Sequence, residues 1–294
     1  MLKHRRLAIA LLCIPLYAGC SATYLNYTGQ IRGSDWRTAS REPAGLAPDP
    51  ATTPEAVVQV YSARAVRWRG YFGVHTWIAV KPTGAAEFTV HEVNGHRLRR
   101  TGTALVTSNR APDGYWYGNR PELLTEARGP GVDDLIRRIE EAVKRYPYAE
   151  TYHVWPGPNS NTFTAFVLRD APELRVDLPP TAIGKDFLGL SPVAMTPSGT
   201  GGQLSFLGVA GVTAGWEEGV ELNLLGLTLG LDPKSLAVKL PLIGNVGRRS
   251  APVIVNVPRS PPDSMPLNAS NPETPPSDAP HVGAAGSGSS SPGS

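Results

Sequence analysis

Apolar residues recur with two different periods along this chain, and the change of period marks out its elements. From Gly131 onward, Val132, Leu135, Ile136, Ile139 and Val143 fall three and four residues apart, with Asp133 and Asp134 in the first turn and Lys144 and Arg145 in the last. One apolar stripe, with charges matched to the helix dipole at both ends, predicts a helix over 132–146 that Pro147 ends. Thr53-Pro54-Glu55 is a helix-start signature, and Val57, Val58, Tyr61 and Ala65 follow at helical spacings, which predicts a second helix over 54–66. The β-branched and aromatic run from Phe72 to Val80, the turn residues Pro82 to Ala86 and the run Glu87 to Val93 predict an antiparallel hairpin. Alternation then sets His75, Trp77 and Ala79 on one face and Val74, Thr76 and Ile78 on the other. A third strand is expected around 101–107. Beyond residue 199, short Leu- and Val-rich runs broken by Gly or Asp-Pro predict a meander of short strands that extends or covers the first sheet.

Two irregular stretches stand out between these elements. Trp155 to Phe163 reads W-P-G-P-N-S-N-T-F, a rigid turn that delivers Asn159, Ser160 and Asn161 to the first turn of a helix or the mouth of a strand. The loop from Asp113 to Arg120 carries Tyr115, Trp116 and Tyr117, rings that bury large areas while their polar atoms still need partners.

The ends of the chain add an address. Lys3, Arg5 and Arg6 precede a short apolar stretch from Leu7 to Ala18, the layout of a secretory signal peptide over 1–19. Residues 20–52 read as an extended tether, 53–198 as the α+β core, 199–250 as its Gly/Leu-rich short-strand extension, and 251–294, rich in Pro, Ser and Gly, as a disordered tail. Glu217, Glu218, Glu221, Asp232, Lys234 and Lys239 interrupt the Leu-rich runs and argue against a membrane-spanning helix there.

Charge and cysteine usage exclude several classes. A net charge of +3 without a basic cluster interleaved with aromatics gives no nucleic-acid footprint. The only cysteines are Cys13 and Cys20, both N-terminal, so the folded part has no disulfide, no thiol nucleophile and no cysteine-ligated metal. No two histidines have the i, i+4 spacing of a zinc hydrolase helix, and Lys185-Asp186 after Gly184 lacks the glycines and hydroxyl of a phosphate loop, so neither metal nor cofactor is expected.

Three resemblances bear on function. L-Y-A-G-C at 16–20 resembles the lipobox of bacterial lipoproteins, which implies acylation of Cys20, a lipid-membrane anchor and, in a Gram-negative envelope, an outer membrane facing the periplasm. H-T-W-I-A-V-K-P from His75, Y-W-Y-G from Tyr115, W-P-G-P-N-S-N-T-F from Trp155 and A-I-G-K-D from Ala182 resemble the bacterial domain-of-unknown-function family 3750, most closely from Gly70 to Pro192. The order His75, His91, then Asn159-Ser160-Asn161-Thr162-Phe163 also resembles circularly permuted papain-like (NlpC/P60-type) hydrolases. That likeness implies a central antiparallel sheet with packed helices, with Ser160 in the place of the cysteine, His75 as base and His91 as its orienting group. Asn159, Asn161, Trp77, Tyr115, Trp116, Tyr117 and Trp155 are then the candidate substrate contacts. Two functions follow: an envelope serine hydrolase or transferase acting on an amide or ester, peptidoglycan being one such substrate, or a non-catalytic binding or scaffolding lipoprotein. Ser160 has a second reading as a helix or turn cap, and the sequence does not specify an oligomeric state.

Overall fold

The segment 54–66 is a strand and not the expected helix. β1 (Val57–Arg64) is buried at every position, with Val58 and Val60 on one face and Val57 and Tyr61 on the other. A strand covered on both faces shows no apolar alternation, so spacing alone reads it equally well as one side of a helix. The computed structural model describes residues 2–32, 37–247 and 252–258. It begins with α1 (Leu2–Tyr27), which takes in the expected signal segment and Cys20. Among the described residues no helix is long and apolar enough to cross a membrane. Residues 37–52 are not a free tether: Ala44 N donates to Asp113 O, Tyr115 N to Glu42 O and Gly118 N to Ser40 O, which ties the segment along the aromatic loop.

After β1 come β2 (Val74–Lys81), β3 (Thr89–Val93), α2 (Gly95–Thr101), β4 (Leu105–Asn109), β5 (Glu122–Arg128), α3 (Val132–Lys144) and α4 (Ser160–Leu168). α3 matches its apolar stripe. The strand expected at 101–107 starts later, because 95–101 is helical with Asn94 as cap. β6 (Val193–Met195), β7 (Gly201–Phe206), β8 (Ala210–Gly215), β9 (Gly219–Leu224), β10 (Leu227–Asp232), β11 (Ala237–Leu240) and β12 (Gly244–Gly247) form the meander, and β13 (Val253–Asn256) follows. The first sheet has the order β13-β5-β1-β2-β3-β4, antiparallel except for β13, which runs parallel to β5. β13 lies within the stretch expected to be disordered; residues 259–294 of that stretch lie outside the described residues.

The architecture is therefore α+β, with two largely antiparallel sheets and packed helices. α3 and α4 cover the face of the first sheet that carries Val58, Val60, Ile78 and Val80. The opposite face carries Tyr61, Trp77, Ala79 and Val90 under Leu46 and Trp116. The second sheet, in the order β12 to β6, reverses the usual alternation. Its inward positions are polar, such as Gln203, Ser205, Thr213, Glu221, Asn223 and Lys239, while Leu204, Val212, Leu222 and Leu229 point outward.

The inward row closes on a buried charge cluster. Glu221 Oε2 accepts from Lys185 Nζ at 2.5 Å and its Oε1 from Lys239 Nζ at 2.6 Å, while Asp186 accepts from Lys185, Gln203 and Asn223. Burial pushes the Glu221 carboxyl up, but the two ammonium groups more than reverse that and hold it below its ordinary range.

Candidate functional site

The stretch 155–163 is the start of α4, with Asn159 as its cap. Asn159 Oδ1 accepts from Asn161 N at 2.9 Å and Thr162 N at 3.2 Å, and Thr162 Oγ1 takes the bond from Asn159 N, a reciprocal capping box. Asn159 Nδ2 donates to Val154 O and Ile183 O. Gly184, at φ +96°, makes room for this amide, since a Cβ there would lie 2.4 Å from Asn159 Nδ2. Asn161 Nδ2 donates to Val74 O and Ile183 O, and its Oδ1 accepts from Thr76 Oγ1. Both amides expected as substrate contacts are buried and fix the helix start to β2 and to the segment 182–184. Ser160 is the first helical residue and not the cap, and it is 4 % exposed.

The expected catalytic residues do not meet. The register Ala63↔His75 and Tyr61↔Trp77 sets His75 on the aromatic face, whereas Thr76, one residue on, faces α4. Ser160 and His75 therefore project on opposite sides of the sheet. The pairing Ile78↔His91 sets His91 on the α4 side, which also separates it from His75. His91 cannot orient His75; Glu92, its neighbour on the strand, does so. His75 Nε2 donates to Glu92 Oε2 at 2.9 Å, and Arg110 reaches the same oxygen at 3.5 Å. Burial raises the Glu92 carboxyl, and the His75 bond together with the charges of His75 and Arg110 brings it below its ordinary range. Alternation along β3 sets Glu92 on the face opposite His91. The missing signal was the hairpin register, which puts Glu92 on the face of His75.

The His75 ring stacks on Trp116, with centroids 3.7 Å apart, and lies near Trp77 at 5.7 Å. Trp77 Nε1 donates to Pro112 O, and Tyr117 stands edge-on to Trp116 with Arg41 over its ring. Tyr115 is half-buried in the same loop, held through its N–H by Glu42 O. Trp155 is half-exposed away from this cluster and donates from Nε1 to Leu225 O at the second sheet. The aromatic cluster thus holds His75, Trp77, Trp116 and Tyr117 together, with no serine or threonine hydroxyl among the described residues bonded to His75.

His91 shares a hydrogen bond with Thr107 Oγ1 through Nδ1, while its Nε2 is buried without a partner, as is Thr164 Oγ1 one turn beyond Ser160. Ser160 Oγ is therefore bonded to neither imidazole, and no Ser–His–acid triad stands around Ser160 among the described residues. Nor is there a metal-binding group of His, Cys, Asp or Glu among them. Burial lowers the His91 pKa to about 4 from 6.5. A histidine whose folded pKa lies below its unfolded value contributes most above pH 6.5 and loses that contribution as pH falls toward 4. The loss comes to about 3 kcal/mol across that window. Urea titrations at a series of pH values are expected to show this loss in the native protein and a flatter profile in His91→Gln; parallel profiles would exclude His91 as the source.

An α+β domain with a capped helix start on one face of its sheet and a His–Glu–aromatic cluster on the other is the class that the geometry defines. Residues 55–187 match a family described as "Protein of unknown function (DUF3750)". The match covers the first sheet through β5, both core helices and the 182–186 segment, and it stops short of the second sheet. No curated protein and no solved structure matches the chain.

Proposed function

We propose that this protein is a non-catalytic binding or scaffolding lipoprotein of the bacterial envelope, tethered through an acylated Cys20 and built on a degenerate papain-like core. The observation that carries this reading is the sheet between Ser160 and His75. A serine nucleophile depends on a general base within about 3.2 Å, and Ser160 has none among the described residues. The hydroxyl sits at a helix start whose neighbouring side chains serve the backbone, which is a structural arrangement. The family likeness in residue order and the placement of that helix start on the sheet face of His91 support the papain-like plan. Cys20 is exposed, as an acylation site requires, and the residues of the aromatic loop are the candidate ligand contacts. The His75–Glu92 pair is suited to gripping a polar ligand group at the edge of this loop, because Nδ1 of His75 has no partner among the described residues.

Fluorophosphonate labelling of the full chain tests the reading. Neither the native protein nor Ser160→Ala should incorporate the probe, while a control serine hydrolase in the same sample does. Labelling of the native chain that disappears in Ser160→Ala would establish a nucleophile and overturn the non-catalytic assignment in favour of an envelope hydrolase or transferase.

A further inference from the structure

The second sheet is polar toward the protein and apolar toward the outside. One outward row runs Val193, Leu204, Val212, Leu222 and Leu229 across adjacent strands in register, and Leu222 and Leu229 are 53 % and 51 % exposed. The neighbouring rows are of the same kind: between β6 and β11 no outward position carries a charged or amide side chain. Seven strands about 4.8 Å apart and three to six residues long at about 3.3 Å each give a face of roughly 550 Å². This lies at the upper end of what a soluble monomer leaves bare, and such faces mark interaction sites.

We propose that this outward face docks onto a lipid bilayer, its side chains lying in the boundary between headgroups and acyl chains. Three observations select lipid. First, the apolar surface does not stop at the sheet's outline: Leu207, Leu225 and Leu236 occupy hairpin turns at positive φ, where Gly, Asn or Asp is the unstrained choice, and all three are exposed. Leu207 and Leu225 lie at one end of the strands, Leu236 and the exposed Trp216 at the other. A second copy stacked face to face would leave these turns in water, whereas a deformable lipid layer receives them, and tryptophan favours such a boundary.

Second, the face is continuous with the N-terminal segment. Arg64 joins the β11–β12 turn to Gln30, ten residues beyond Cys20, through Leu242 O, Ile243 O and Gln30 Oε1. Third, the chain's own remainder is unsuited as a cover, since residues 259–294 contain only Met265, Leu267 and Val282 as large apolar side chains.

The proposal rests on the envelope reading above only in needing a bilayer within reach; it does not need the acyl group. The test therefore uses the full chain carrying Cys20→Ala, with and without Leu222→Lys and Leu229→Lys, sedimented with vesicles of mixed phosphatidylethanolamine and phosphatidylglycerol. Cys20→Ala should still bind, and the added lysine pair should weaken its partitioning about tenfold or more, because lipid-facing lysines are unfavourable. Unchanged thermal unfolding of the pair, whose positions are solvent-exposed, would show that the fold is intact. Equal partitioning of the two chains, or no binding by Cys20→Ala, overturns the proposal. So does a dimer in sedimentation velocity that the lysine pair dissociates without vesicle binding, which would assign the face to a second copy. Fluorophosphonate labelling is unaffected by either result, so the two readings fail separately.

Discussion

Replacing Glu221 with alanine is expected to lower stability by about 3–5 kcal/mol, the usual consequence of removing one member of a buried ion pair. The carboxylate bridges Lys185 and Lys239, with those three side chains each 6 % exposed or less, so its loss leaves two ammonium groups with one acidic partner apiece, Asp186 and Asp177. Glu221→Gln retains the volume and removes only the charge. It should recover no more than a fraction of the loss, which urea denaturation followed by tryptophan fluorescence would measure. A cost below about 1 kcal/mol, the level of an exposed pair, would mean that the cluster does not hold the second sheet to the body. The folded carboxyl titrates below its unfolded value. Its contribution is thus present above the ordinary glutamate range and is lost as the pH falls below it.

Asn159→Ala is the second large effect. The substitution removes a cap, typically about 1 kcal/mol, and orphans Asn161 N and Thr162 N on one side and the carbonyl of Val154 on the other, while Ile183 O keeps only the bond from Asn161 Nδ2. At about 1–3 kcal/mol for a buried group left unsatisfied, a total near 4 kcal/mol is expected. Asn159→Asp separates the parts: it keeps the acceptor that caps α4 but cannot donate to Val154 O and Ile183 O, so it should fall between the native protein and alanine. Equal stability of all three chains would show that the capping box does not hold this turn.

The elements that were legible in the sequence are those whose environment is one-sided. α3 has one covered face and a charge at each end, so its spacing and termini agree. The strands of the second sheet were legible as short Leu- and Val-rich runs between turn residues, although such runs cannot say which face is covered. The inversion is visible only once Lys185 and Asp186 are placed beneath it. β1 failed because both of its faces are covered. The turn before α4 was legible from its prolines and asparagines as a helix start or a strand mouth, yet the cap is Asn159 and not Ser160, a difference of one residue that only the hydrogen bonds decide. The site failed on the face of the sheet: Ser160 and His91 lie on the α4 side and His75 on the aromatic side, where the register Ile78↔His91 sets the adjacent Glu92 beside it.

The parallel strand β13 sets an order of assembly. Val253 to Asn256 pair with Thr125 to Arg128, so the edge of β5 stays open until residues near 256 have left the ribosome. An unpaired edge of this kind is a template for pairing with other chains. The domain carrying the family match must therefore be delivered as far as about residue 256 before its sheet is closed, and truncation upstream of Val253 would release a product with a bare edge whose hazard is association during biogenesis.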